Sequence, residues 1–122
     1  EMRFAPEKDY IVDVDAILDR VDQRTKIVFL ANPANPTGSC IPFSAVERLH
    51  RGLPAQTLLV LDGAYSEFAR AAPGFDAGLD LARVAPNVLM TRTFSKLYGL
   101  AGLRVGWGYG AADVIAALDR VL

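Results

Sequence analysis

The chain has 122 residues, enough for one domain with a single core, and its 52% hydrophobic and 22% charged content excludes a disordered polypeptide. With 13 basic against 14 acidic residues the net charge is −1, which excludes the electrostatic footprint of a nucleic-acid or anionic-membrane binder. No apolar run approaches a membrane span, Glu1–Glu7 lacks the apolar stretch of a secretion signal, and the lone Cys40 allows no internal disulfide, so a reducing cytoplasm is the expected setting. An opening on Glu1 and an end at Leu122 inside a helical pattern lead to the expectation of a piece of something longer.

Residues 1–12 read as extended and polar around Pro6, with Tyr10-Ile11-Val12 ending a strand or leading into a helix. Asp13 is placed to cap a short helix over Val14–Val21, where Val14, Ile17, Leu18 and Val21 share one face. Asp15, Asp19, Arg20 and Asp22 form its solvated side. Lys26–Ala31 is a continuous apolar run after its lysine, the mark of a strand buried on both sides in a parallel sheet. It stops at Asn32-Pro33-Ala34-Asn35-Pro36-Thr37-Gly38, which fits neither helix nor central strand. Ser44 is expected to cap a helix over Ala45–Arg51 that ends at Gly52 and Pro54.

Thr57–Leu61 repeats the buried-strand pattern and ends at Asp62-Gly63-Ala64-Tyr65. A looser stretch with Pro73, Gly74 and Gly78 precedes a short amphipathic helix near Leu79–Val84. Val88–Thr91 reads as the third strand, Val105–Gly110 as the fourth, and Ala112–Leu122 as a closing helix with Val114, Ile115, Leu118 and Val121 apolar. The alternation predicts an α/β domain, a mostly parallel sheet flanked by helices, with strands near 26–31, 57–62, 88–93 and 104–109.

In open α/β sheets ligands sit where the loops converge at the carboxyl ends of the strands. Here these ends carry Asn35-Pro36-Thr37-Gly38, Asp62-Gly63-Ala64-Tyr65 and Thr93-Phe94-Ser95-Lys96, with Arg104 eight residues beyond the lysine. Alone, each is ordinary: a turn, a helix cap, a solvated lysine. Together they meet the needs of one cofactor. A lysine that reacts as an amine needs cationic or polar neighbours that favour its neutral form. Hydroxyls and a guanidinium suit a phosphate, and an aspartate suits a protonated pyridine nitrogen. Lys96 for an imine, Asp62 for the ring nitrogen, Asn35 and Tyr65 for the ring oxygen, and Thr93, Ser95 and Arg104 for a phosphate point to pyridoxal 5'-phosphate.

The order Asn-Pro-Thr-Gly, Asp-x-x-Tyr, then Thr-x-Ser-Lys with arginine eight residues later resembles the fold-type I pyridoxal-phosphate aminotransferases. Within them, Phe29–Gly38, Leu61–Phe68 and Arg92–Gly106 are similar to the histidinol-phosphate aminotransferase family of histidine biosynthesis. The resemblance covers essentially the whole chain. It implies that residues 1–122 are the middle of the cofactor-binding large domain, without its N-terminal segment and the C-terminal small domain. It further implies an antiparallel last strand and Lys96 as the catalytic residue that bonds the cofactor and shuttles the substrate proton. A phosphate-bearing amino substrate, a 2-oxo acid and a homodimeric full-length protein also follow from the resemblance; from charge and apolar-run length, no nucleic-acid or membrane partner is expected. The phosphate loop and ring-stacking aromatic would lie before these residues, and the arginine for the substrate carboxylate after them. Gly63 departs from the family, which often has glutamate there.

Relatives with the same motifs act on aromatic amino acids or decarboxylate threonine phosphate, and a non-catalytic cofactor-binding module is the reading from a different class. Gly106-Trp107-Gly108-Tyr109-Gly110-Ala111 fits G-x-G-x-x-A, a weak dinucleotide fingerprint, but strand-packing glycines explain it better. His50 is expected at the surface and Cys40 in a loop or core; neither has metal-ligand company, and no metal is expected.

Overall fold

The computed structural model describes residues 1–121. Its centre is a four-stranded sheet in the order β3 (Ile27–Ala31), β4 (Leu58–Asp62), β5 (Val88–Thr93), β6 (Gly106–Gly110). The first three strands are parallel, with Ala31 beside Asp62 and Asp62 beside Thr91; β6 runs antiparallel, with Thr93 opposite Gly106. Strand positions and directions follow the sequence expectation closely.

A small hairpin, β1 (Glu7–Lys8) and β2 (Ile11–Val12), precedes the sheet; β2 falls on the strand end read at Tyr10-Ile11-Val12, while its partner β1 lies where the sequence reads as extended chain. Its turn residues Asp9 and Tyr10 both have positive φ, 52° and 62°. Such a turn usually announces itself with Asn-Gly or Asp-Gly, and Asp-Tyr lacks that signal.

Helix α1 (Val14–Leu18) starts as expected, with the Asp13 carboxylate accepting from the Asp15 and Ala16 amides at 2.9 and 3.1 Å. It is shorter than Val14–Val21 because its end tightens: Arg20 and Val21 donate to Ile17 and Leu18, three residues back. Helix α2 (Phe43–Gly52) corrects the expected Ser44 cap. Pro42 is the cap residue, Ser44 lies inside the first turn, and the free Phe43 amide is taken by the Gly74 carbonyl at 2.8 Å. A loop from across the fold therefore replaces the side-chain cap. Helix α3 (Leu79–Val84) falls where expected. Helix α4 (Ala112–Asp119) is shorter than the 112–122 expectation, whose last residue lies outside the described ones.

Val14, Val46, Leu49 and Ala82 from α1, α2 and α3 pack on Val28, Leu30, Leu59, Leu61, Val88 and Met90. These strand residues alternate, so they define one face of the sheet. Strand order running in one direction with right-handed crossovers puts the connecting helices on that same face. The expectation of two-sided burial fails for β3, an edge strand in which Val28 and Leu30 are buried while Phe29 is 73% exposed. It holds better for central β4, where Leu59, Val60 and Leu61 are all buried. A continuous apolar run signals what a strand can tolerate on both faces, not what the described residues place there.

Polar side chains stitch the amino ends of the parallel strands. Thr57, fully buried, donates its hydroxyl to the Thr25 carbonyl at 2.8 Å, and the Asn87 amide donates to the Thr57 carbonyl at 3.0 Å. The Asn87 oxygen therefore accepts, and the His50 ring donates to it through Nε2 at 2.9 Å. His50 is half-buried in this lacing rather than a free surface residue.

Candidate active site

Three segments at the opposite, carboxyl end of the sheet carry the chemistry-bearing residues. After β3, residues 32–41 form a loop closed by one side chain. Asn32 accepts from the Ile41 amide through Oδ1 and donates to the Ile41 carbonyl through Nδ2, both at 3.0 Å. Within it Gly38, at φ 70°, donates to the Ala34 carbonyl, and Asn35 projects from the exposed rim. After β4, the Asp62 carboxylate accepts from the Ala64 amide at 3.0 Å, an Asx turn that orients the next residues. Tyr65 follows, half-buried, and a 3-10 turn over Ser66–Ala69 ends the segment. After β5, Thr93 Oγ1 accepts from the Ser95 amide at 3.1 Å, and Gly99, at φ 69°, donates to the Lys96 carbonyl, closing a turn around the lysine.

These segments meet at Tyr65. The Asn35 amide donates to the Tyr65 hydroxyl at 3.4 Å, and the Lys96 ammonium lies 5.1 Å from the centroid of the Tyr65 ring. The contact is a cation–π approach that holds the amine over an aromatic face. Asp62 stands at the same end of the neighbouring strand, exposed, and among the described residues its Oδ2 takes no hydrogen bond. An open hollow of ≈ 360 Å³ runs beside this grouping, lined in part by Asn35, Cys40, Tyr65 and Phe68.

Arg104 is not drawn into the group. It occupies the left-handed region, φ 53° and ψ 45°, and its guanidinium donates to the Ala101 carbonyl at 3.0 Å. Lys96 itself is exposed, more open than the sequence argument required, because residues 96–105 form an outer rim. The glycines of the dinucleotide-like pattern all lie within β6, not in a loop between strand and helix. A Cβ at Gly106 would stand 2.6 Å from the Arg92 carbonyl, so strand contact accounts for that glycine. Among the described residues no cluster of three or more His, Cys, Asp or Glu could hold a metal.

Two features escaped the sequence. One is Asn32, whose only sequence signal was its place just after a strand. The other is an ion pair between Glu67 and Arg92, whose side chains are 4% and 15% exposed. Burial would raise the Glu67 carboxyl, but the Arg92 hydrogen bond, its own backbone amide and the Arg92 and Arg70 charges outweigh burial and hold it below the usual range. Arg92 also lies 5.8 Å from the centroid of the Trp107 ring.

A parallel sheet that gathers an amine, a carboxylate and a bonded amide–phenol pair at its strand ends defines a ligand-binding α/β domain. Matched over residues 1–122 by the model of aminotransferase class I and II, the chain belongs to that family. It is similar to the histidinol-phosphate aminotransferase of Ruegeria pomeroyi, 58% identical over 116 residues that cover 95% of this chain and 31% of that protein. Histidinol-phosphate aminotransferase 1 of Caulobacter vibrioides is 52% identical over 121 residues, 99% of this chain and 33% of that one. Among solved structures, histidinol-phosphate aminotransferase from Sinorhizobium meliloti in complex with pyridoxal-5'-phosphate superposes with a TM-score of 0.86 at 38% identity, covering 98% of this chain and 32% of its own. The chain thus spans about a third of the length of the curated relatives it matches.

Proposed function

We propose that the protein carrying this chain is a pyridoxal-phosphate-dependent aminotransferase that moves an amino group from histidinol phosphate to 2-oxoglutarate in histidine biosynthesis. The observation that carries the reading is the Lys96 amine held over Tyr65, itself bonded to Asn35, at the same end of the sheet as Asp62. The donor set fits the cofactor: one amine for an aldehyde, one carboxylate for a protonated ring nitrogen, two neutral donors for a ring oxygen, and hydroxyls for a phosphate.

The cofactor, when bound, supplies an electron sink that makes the substrate's α-carbon acidic. Lys96 Nζ would be the amine that holds the cofactor's aldehyde and the base that moves the substrate's α-proton. Asp62 would pair with the ring nitrogen and favour its protonated form. Asn35 Nδ2 and the Tyr65 hydroxyl would donate to the ring oxygen. Thr93, Ser95 and Arg104 would hold the phosphate. The chain serves as the central part of the large domain, in a cytoplasmic homodimer. The full-length protein incubated with histidinol phosphate and 2-oxoglutarate is expected to form glutamate faster than with an aromatic amino acid as donor. Preference for the aromatic donor, or no cofactor absorbance in the purified protein, would end this reading.

A further inference from the structure

The Glu67–Arg92 pair has no part in the roles above, yet it joins the two segments that those roles depend on. Glu67 lies two residues beyond Tyr65, in the 3-10 turn, while Arg92 adjoins Thr93 on β5, four residues before Lys96. The arginine has little freedom to leave. Its guanidinium lies over Trp107, and its Cδ is 2.9 Å from where a Cβ on Gly63 would stand. Glycine at 63 leaves the arginine stem room to pass.

We infer that Glu67 and Arg92 are positioning residues that lock the tyrosine segment to the lysine strand, and so set Tyr65 and Lys96 for the cofactor. The inference rests on the pyridoxal-phosphate reading. Apart from the pair, a backbone hydrogen bond from the Gly63 amide to the Thr91 carbonyl, 2.9 Å, ties these segments, and it lies upstream of Tyr65. Without a tie beyond Tyr65 the ring could pivot about that bond. A buried ion pair adds little stability over an apolar pair of equal volume. Its advantage is direction: a charged hydrogen bond fixes an orientation that methyl groups leave loose.

That contrast supplies the test, made in the full-length protein. Glu67→Gln, Arg92→Met, Arg92→Lys and the double variant Glu67→Met/Arg92→Met are compared with wild type by urea midpoint and by titration of apo-protein with pyridoxal phosphate. The single variants that break the pair should lose stability and bind the cofactor about tenfold more weakly, the scale expected from misplaced contacts. The double variant should recover the urea midpoint, because no lone charge remains buried, yet keep the weakened cofactor binding and a shifted pH midpoint of the cofactor absorbance. Should the double variant fail to fold, Arg92→Lys decides. It keeps the charge but shortens the reach, so weakened cofactor binding at a near-wild-type urea midpoint upholds the inference. Cofactor binding within about twofold of wild type in the folded double variant or in Arg92→Lys, a difference below about 0.4 kcal/mol, overturns it. A wild-type protein that takes up no pyridoxal phosphate overturns the cofactor reading first, and this inference with it.

Discussion

Replacing Asn32 by alanine tests whether one side chain holds the loop that presents Asn35. Asn32 makes a closed pair of hydrogen bonds with the backbone of Ile41, each 3.0 Å, and Ile41 is only 5% exposed. Truncation leaves the buried Ile41 amide without a partner and its carbonyl with only the weak Cys40 thiol contact at 3.7 Å. Each such group costs about 1–3 kcal/mol, and partial access of water at this half-buried site favours the lower end, so the expected loss is about 2–4 kcal/mol. Asn32→Asp should be no better: it keeps an acceptor for the Ile41 amide but turns a second acceptor toward the Ile41 carbonyl. Urea unfolding of the full-length protein measures the loss, and titration with pyridoxal phosphate reads its reach to Asn35. A loss below about 0.5 kcal/mol in both variants, the range of ordinary surface changes, would refute the claim that this ring of bonds holds the loop.

Leu49→Ala, at a position with no exposure in the centre of the core, should cost about 2–5 kcal/mol by urea unfolding. Lys96→Ala should remove the cofactor absorbance band and turnover together, whereas Asp62→Ala should retain weak cofactor binding and lose most of the rate. Survival of turnover in Lys96→Ala would remove that residue from the chemistry. Acid stability should report on Glu67. Because its folded value is lowered, its contribution is complete above the ordinary glutamate value of about 4.3 and is lost as pH falls through the folded value. The stability gap between wild type and Glu67→Gln should therefore be constant near neutral pH and close only in that acid range; a gap that widens on acidification contradicts the assignment.

Much of this arrangement was legible in the chain because strand ends punctuate strongly. Apolar runs halting at Asn-Pro, at Asp-Gly and at Thr-x-Ser-Lys placed three polar segments at one end of a parallel sheet, and β3, β4 and β5 lie there. What escaped was decided by partners distant in sequence. The start of α2 is served by Gly74, a residue no local rule would nominate over Ser44. Glu67 reads as a polar surface position until Arg92 is found beside it, 25 residues on. The exposure of Phe29 depends on what covers an edge strand, which hydropathy does not encode. Arg104 was placed by its spacing from Lys96, but spacing says nothing of the left-handed backbone that turns its side chain to Ala101.

The lacing of Thr25, Thr57, Asn87 and His50 has a consequence for how such a domain can change its chemistry. Strand alignment is anchored at the end away from the loops that follow β3, β4 and β5, by hydrogen bonds that those loops do not share. A slip of one residue would turn every core side chain outward, and the laced end resists that slip whatever the other end carries. Exchanges confined to the exposed rims of these loops, such as 36–38 or 97–103, can then be absorbed where they occur. A graft of such rims from a relative should therefore fold on the same sheet without retuning it, much as a tool head is changed on a fixed handle.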